Sequence, residues 1–357
     1  MKSLIRSSAA ILIVCGLLFY ASYSLNASRN AGGAGTITVY NWGEYIDPDL
    51  IGRFEEETGI HVIYETFDSN EAMLTKVQQG GSAYDIAVPS EYMVEKMAEG
   101  GLLIPLDRSK IPNLANIDPY YLNLPFDPDN RYSIPYFWGT LGIVYNPNLV
   151  PDDLTFDSWQ DLWNPALKQQ VFLYDGAREV IGMGLNSIGA SVNAKDDALL
   201  RQAADRLKAL VPNIKAVIGD EITPLMVNNE AAVALTFSGQ AADMMSENEE
   251  LEYNVPHEGS NLWFDNFVIP KTSRNIEGAY AFINFMLDAE VGAQNTDYVG
   301  YSTPNAAAME LLDEEVVTDE RFYPTGEQRE HLEVYQNLAP EWMGKYSEYF
   351  LKFKMSL

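Results

Sequence analysis

A tryptophan and an aspartate, Trp263 and Asp265, stand two positions apart within an apolar run that reads as a strand. On a strand that spacing turns both side chains to the same face. An indole beside a carboxylate can cover apolar surface and hold a cation, although the same spacing also suits a cross-strand surface pair. Glu179 is the second acid of interest, and Glu179 with Asp265 would in principle serve a glycosidase. Their aromatic company suits a cation or a sugar. Other catalytic patterns are missing. The chain has no Gly-x-Ser-x-Gly nucleophile elbow and no phosphate-cradling glycine loop with its lysine. His61, His257 and His331 are isolated, without zinc-ligand spacing. These patterns give no expectation of a catalytic residue, a metal or a cofactor.

Charge narrows the partner. The 357 residues carry 23 basic and 51 acidic side chains, a formal charge of −28, which disfavours nucleic acid and favours cations. No acidic residue precedes Glu44, so the acidity belongs to the folded part. Residues 1–35 read as a signal or anchor segment with its linker: Lys2 and Arg6 precede a small-or-apolar run over 9–21. That run is short for a membrane span of roughly 20 residues. Extending it to residue 25 would make an anchor, so cleavage and anchoring both stay open. Cys15, the only cysteine, lies inside the run, and residues 16–20 after it are still apolar, whereas a lipid-carrying cysteine normally follows such a run. A mature chain without cysteine forms no disulfide and must rely on its core, for which 47% hydrophobic residues suffice.

The elements that must position these side chains follow from periodicity. Strands are expected over 36–40, 61–66, 84–88, 139–146, 231–237 and 262–269. Helices are expected after Asp47-Pro48 up to Gly59, and over 70–79, 92–99, 158–163, 180–188, 196–210 and 276–287. Strand–helix alternation at the start argues for an α/β domain with a mainly parallel sheet, and the length suits two domains.

Six segments carry something more specific: Val39-Tyr-Asn-Trp-Gly-Glu-Tyr45, Tyr84-Asp-Ile-Ala-Val-Pro-Ser-Glu-Tyr92, residues 127–139, Asp175-Gly-Ala-Arg-Glu-Val180, residues 262–270 and Gly300-Tyr-Ser-Thr-Pro-Asn305. In order and spacing, over residues 36–357, they resemble the bacterial spermidine/putrescine-binding proteins of ABC importers. The resemblance implies an α/β, two-lobed, periplasmic-binding-protein-like (type II) fold with the ligand cleft between the lobes. One lobe would take 36–139 plus 264–309, the other 140–263 plus 310–357. It implies a secreted monomer that hands spermidine or putrescine to the membrane permease subunits of its importer. Trp42, Tyr45, Tyr92, Phe237, Trp263 and Tyr301 would be aromatic walls, and Glu179 and Asp265 the principal carboxylates with Glu44 a third. Ser90 and Gln336 would be neutral polar contacts.

Such a site suits the ligand. Carboxylates accept ammonium donors at roughly 1.5–3 kcal/mol each, and aromatic faces cover methylenes and attract cations at roughly 0.5–2 kcal/mol. Two departures from the family pattern bear on ligand preference. Gly176 stands where an acid often precedes Ala-Arg-Glu, leaving Asp175 as a possible substitute, and Phe237 replaces a frequent tryptophan. Competing readings are a binder of a sugar or metal ion, a hydrolase, or a surface scaffold without a small ligand. Tyr120-Tyr121 is similar to the tyrosine pair of ferric-ion binders, but in another segment and without a matching histidine.

Overall fold

The computed structural model describes residues 35–357. The targeting segment up to residue 34, Cys15 included, lies outside them. The chain starts with strand β1 (Thr36–Trp42), helix α1 (Pro48–Thr58), β2 (His61–Phe67), α2 (Asn70–Gln79), β3 (Ile86–Ala87) and α3 (Glu91–Glu99). Capping chemistry sets the first of these helices. Asp47 accepts the Asp49 N–H, Pro48 occupies the first turn, and Gly59 closes the helix in the left-handed region at φ 69°. β2, β1 and β3 pair in parallel, as the strand–helix alternation requires.

The middle of the sheet departs from that expectation. β4 (Ser133–Tyr145) is buried at all 13 positions and begins six residues before the expected 139. Pro135 lies inside this strand although proline cannot donate to a ladder. The strand accommodates it at an irregularity, where the register with β9 (Ser260–Val268) shifts between Pro135 and Phe137. β4 runs antiparallel to β9 and to β7 (Val233–Phe237), and β9 is antiparallel to β3. With β5 (Val171–Tyr174) and β6 (Ile214–Ile218) the sheet is therefore mixed, in the order β2-β1-β3-β9-β4-β7-β5-β6, and the short β8 (Glu252–Asn254) pairs with β4. Two of these strands, β5 and β6, had no sequence signal: β5 buries three of its four residues in succession, which erases alternation.

Beyond β5 come helices α4 (Ala177–Asn186) and α5 (Asp197–Leu210), and after β7 comes α6 (Ser238–Glu247). A helix over Ile276–Met286 buries Ala279, Tyr280 and Ile283 while Ile276 at its start is exposed, and a last helix, Pro340–Lys354, returns to pack on α4 and α5.

Two large cores result. One joins residues from Ile37 to Trp138 with Leu262 to Val291 and Tyr323. The other joins residues from Leu141 to Leu235 with Leu338, Tyr346, Phe350 and Phe353. β4 passes from the first to the second between Trp138 and Leu141, and Phe237 packs against both. At that passage sits Gly139, opposite Trp263, where a Cβ would lie 2.6 Å from the indole Cζ2. The aromatic ring can lie against the crossing strand only because the side chain is absent.

Candidate functional site

Asp265 lies on β9, 7% exposed, and each of its carboxylate oxygens accepts one hydroxyl. Oδ2 accepts the Tyr45 hydroxyl at 2.8 Å and Oδ1 accepts the Ser90 hydroxyl at 2.7 Å. Three separate pieces of chain supply these atoms. Tyr45 follows β1, Ser90 caps α3 and bridges the Asp265 backbone, and β4 lies alongside through Phe137. Asn70 at the start of α2 holds Ser90 in turn: its amide donates to the Ser90 hydroxyl at 3.0 Å and its carbonyl accepts the Ser90 N–H at 3.1 Å. Burial pushes the Asp265 carboxyl up to about 6, while Ser90, Tyr45 and a polar contact from Trp42 favour the ionised form. Burial first, then the Asp265 charge, holds the Tyr45 hydroxyl well above the usual phenol range.

Aromatic rings extend from this acid. Tyr45 meets Tyr301 edge to face at 5.2 Å, Tyr301 meets Trp263 at 5.5 Å, and Trp263 meets Phe237 at 6.3 Å. Trp263 and Asp265 thus share one face of β9, joined through Tyr45 and Tyr301. Tyr301 rests directly on the Cα of Gly239, near the start of α6, where no side chain could fit beneath the ring. Trp42 packs on Phe67 at 4.5 Å, and its indole nitrogen, like that of Trp263, is buried without a well-formed hydrogen bond.

The second acid lies at the other end. Glu179, in the first turn of α4, is half-buried. Burial raises its carboxyl, opposed by its own backbone N–H and by Arg178. The phenols of Tyr92 and Tyr174 both feel its charge, and Tyr174 meets Phe237 edge to face at 5.0 Å. An acid at each end of a run of rings can hold an elongated cation.

Residues 49–324 match the family of bacterial extracellular solute-binding proteins. The spermidine/putrescine-binding periplasmic protein of Escherichia coli K12 is 39% identical over 344 residues, 96% of this chain and 97% of the relative. The putrescine-binding periplasmic protein of the same organism is 34% identical, over 89% and 90% of the two chains. A solved spermidine/putrescine ABC transporter substrate-binding protein from Streptococcus pneumoniae is 57% identical, with a TM-score of 0.85 over 90% of this chain and 99% of that one. This chain belongs to the bacterial extracellular solute-binding proteins. Its fold is the α/β, two-lobed fold of periplasmic binding proteins, and its place is outside the cytoplasm. No helix among the described residues is long and apolar enough to cross a membrane.

Three of the expected positions of this binding protein stand apart from the cluster. Glu44 is exposed in a turn with left-handed backbone, φ 51°, and no hydrogen bond among the described residues joins it to the other acids. The Gln336 side chain is exposed, and its segment is held through the main chain: the Gln336 N–H donates to Asn193 and its carbonyl accepts from Arg178. Asp175 is paired through both carboxylate oxygens with Lys354 on the last helix, at 2.7 and 2.8 Å.

Other residues take up the space, and sequence reasoning missed them. Tyr335 is buried beside Gln336, with the Arg178 guanidinium 4.1 Å above its ring. Glu91 is 1% exposed and accepts the Phe264 N–H at 3.0 Å, and burial pushes its carboxyl up to about 8. Asn70, Phe137 and Tyr174 each touch an expected site residue, Ser90, Tyr45 and Phe237 in turn. Asn70 had a legible signal, as a polar residue opening a helix. Tyr174 had none, because its strand was not recognisable.

Proposed function

We propose that this binding protein captures a polyamine, spermidine or putrescine, between its lobes and delivers it to the membrane permease subunits of a polyamine ABC importer. One observation carries the reading. Asp265 is buried among aromatic rings, and among the described residues no lysine or arginine forms an ion pair with it or with Glu179. A buried carboxylate without a counter-ion is costly, and a ligand ammonium group supplies that counter-ion. The names of the relatives, polyamine binders of ABC transporters, agree with this chemistry.

Asp265 and Glu179 take the ammonium groups, and Trp42, Tyr45, Tyr92, Phe237, Trp263 and Tyr301 cover the methylenes, with Ser90 orienting Asp265. Glu44 and Gln336 stand at the rim. The lobes are 36–139 plus 264–309 and 140–263 plus 310–357. The two cores support this division, except that Leu262, Trp263 and Tyr323 pack into the first core from segments assigned to the second lobe. The protein releases its ligand unchanged, without catalysis. Residues 1–35 direct the chain across the membrane and, where uncleaved, hold it at the surface. Spermidine or putrescine at millimolar concentration raises the thermal midpoint, since a ligand of the native state stabilises it by mass action. If neither moves the midpoint, and mass spectrometry finds no polyamine co-purifying, the reading is wrong.

A further inference from the structure

Asp220 reaches the aromatic run from the end of a strand that gave no sequence signal. β5 and β6 pair in parallel with Tyr174 opposite Ile218, and the Asp175 N–H donates to the Ile218 carbonyl at 2.8 Å. Just beyond that pair, one chain carries Gly176 and the other carries Asp220. The first lacks the acid that often precedes Ala-Arg-Glu, and the second supplies one. Gln240 on α6 holds the Asp220 carboxylate: its amide donates to Oδ1 at 3.1 Å, and its carbonyl accepts the Thr236 hydroxyl at 2.7 Å. Gln240 follows Gly239, on which the Tyr301 ring rests, and Thr236 precedes Phe237. Burial first, then the Asp220 charge, raises the Tyr174 phenol, and the Glu179 charge adds to both. The Tyr301 phenol is raised by burial first, then by Asp265, Tyr174 and Asp220 in turn. Asp220 and Glu179 therefore share the Tyr174 end of the run, and Asp265 serves the Tyr45 end. Lys354 pairs with Asp175, but among the described residues no lysine or arginine pairs with Asp220, which is exposed.

Two acids at one end and one at the other match the uneven charge of spermidine. Two of its ammonium groups flank a trimethylene arm, and the last lies beyond a tetramethylene. Putrescine is the tetramethylene part alone. We propose that Asp220 is a specificity-determining residue that, with Glu179, receives the two ammonium groups of the aminopropyl end of spermidine, while Asp265 takes the remaining one. Putrescine leaves Asp220 without a partner. The proposal deepens the polyamine reading and rests on it.

Asp220→Asn is a clean perturbation, since the side chain is exposed and the asparagine oxygen still accepts the Gln240 amide. Calorimetric titration with spermidine and with putrescine would compare the parent, Asp220→Asn, Glu44→Gln and Asp243→Asn. Asp220→Asn should weaken spermidine about tenfold, the loss expected for one charged hydrogen bond, and putrescine by less than about twofold. Removing any nearby acid weakens the more highly charged ligand slightly through space, and Asp243→Asn measures that background, because Asp243 is exposed and its charge also reaches Tyr301. It should change the ratio of the two affinities by less than about twofold. An Asp220→Asn ratio equal to that of the parent or of Asp243→Asn would overturn the proposal. So would a loss of spermidine preference in Glu44→Gln in place of Asp220→Asn, which would make Glu44 the third acid. Either result leaves the polyamine reading standing. A parent that binds neither ligand overturns both.

Discussion

Replacing Asp265 by asparagine should move ligand affinity and ligand-free stability in opposite directions. The carboxyl sits at about 6 in the folded protein against an ordinary 3.8, a gap worth about 3 kcal/mol. A carboxyl raised on folding contributes stability that is fully present below pH 3.8 and lost as pH rises through 6. At pH 7.5 the parent therefore carries the whole penalty of a buried, unpaired charge, and the neutral amide of the variant carries none. Asp265→Asn should gain up to about 3 kcal/mol in urea denaturation without ligand at pH 7.5, and about half of that at pH 5. Its affinity for spermidine should fall roughly ten- to a hundredfold, for loss of a charged hydrogen bond worth about 1.5–3 kcal/mol. Parent binding should also weaken as pH drops below 6, and the variant should lack that acid limb. A variant less stable at pH 7.5 that still binds like the parent would refute this reasoning. Asp265 would then be a tie between Tyr45 and Ser90 with no ligand charge to answer.

Two further outcomes test the rest of the site. Ligand should bring the lobes together about the crossings near Gly139 and Trp263, so small-angle scattering should give a smaller radius of gyration with saturating spermidine; an unchanged radius would count against closure. Gly239→Ala places a methyl group under the Tyr301 ring, which should weaken spermidine at least tenfold in calorimetry, and parent-like binding would show that the Tyr301–Gly239 contact is dispensable.

Local chemistry made much of this protein legible from its residues. The Asp47-Pro48 cap, the Gly59 stop and the helix Asn70–Gln79 follow from capping and periodicity, because each depends on neighbours within a turn or two. The shared face of Trp263 and Asp265 follows from strand pleating alone. The family was readable from six short segments, and with it the two-lobed fold.

Contacts between distant residues were beyond that reach. Tyr45 and Asp265 are 220 residues apart, Ser90 and Asp265 are 175 apart, and no local signal encodes their hydrogen bonds. The early start of β4 depended on a partner strand able to absorb Pro135 in a register shift. Asp175 had no visible partner until the last helix placed Lys354 against it, 179 residues on. Gln336 and Tyr335 differ by one position, yet packing on Arg178 buries the tyrosine and leaves the glutamine side chain outside. Side-chain type and spacing set which groups can bear charge or cover a ligand. Which of them meet, and which are tied elsewhere, depends on the free energy of packing the whole chain, to which each local segment contributes only a part.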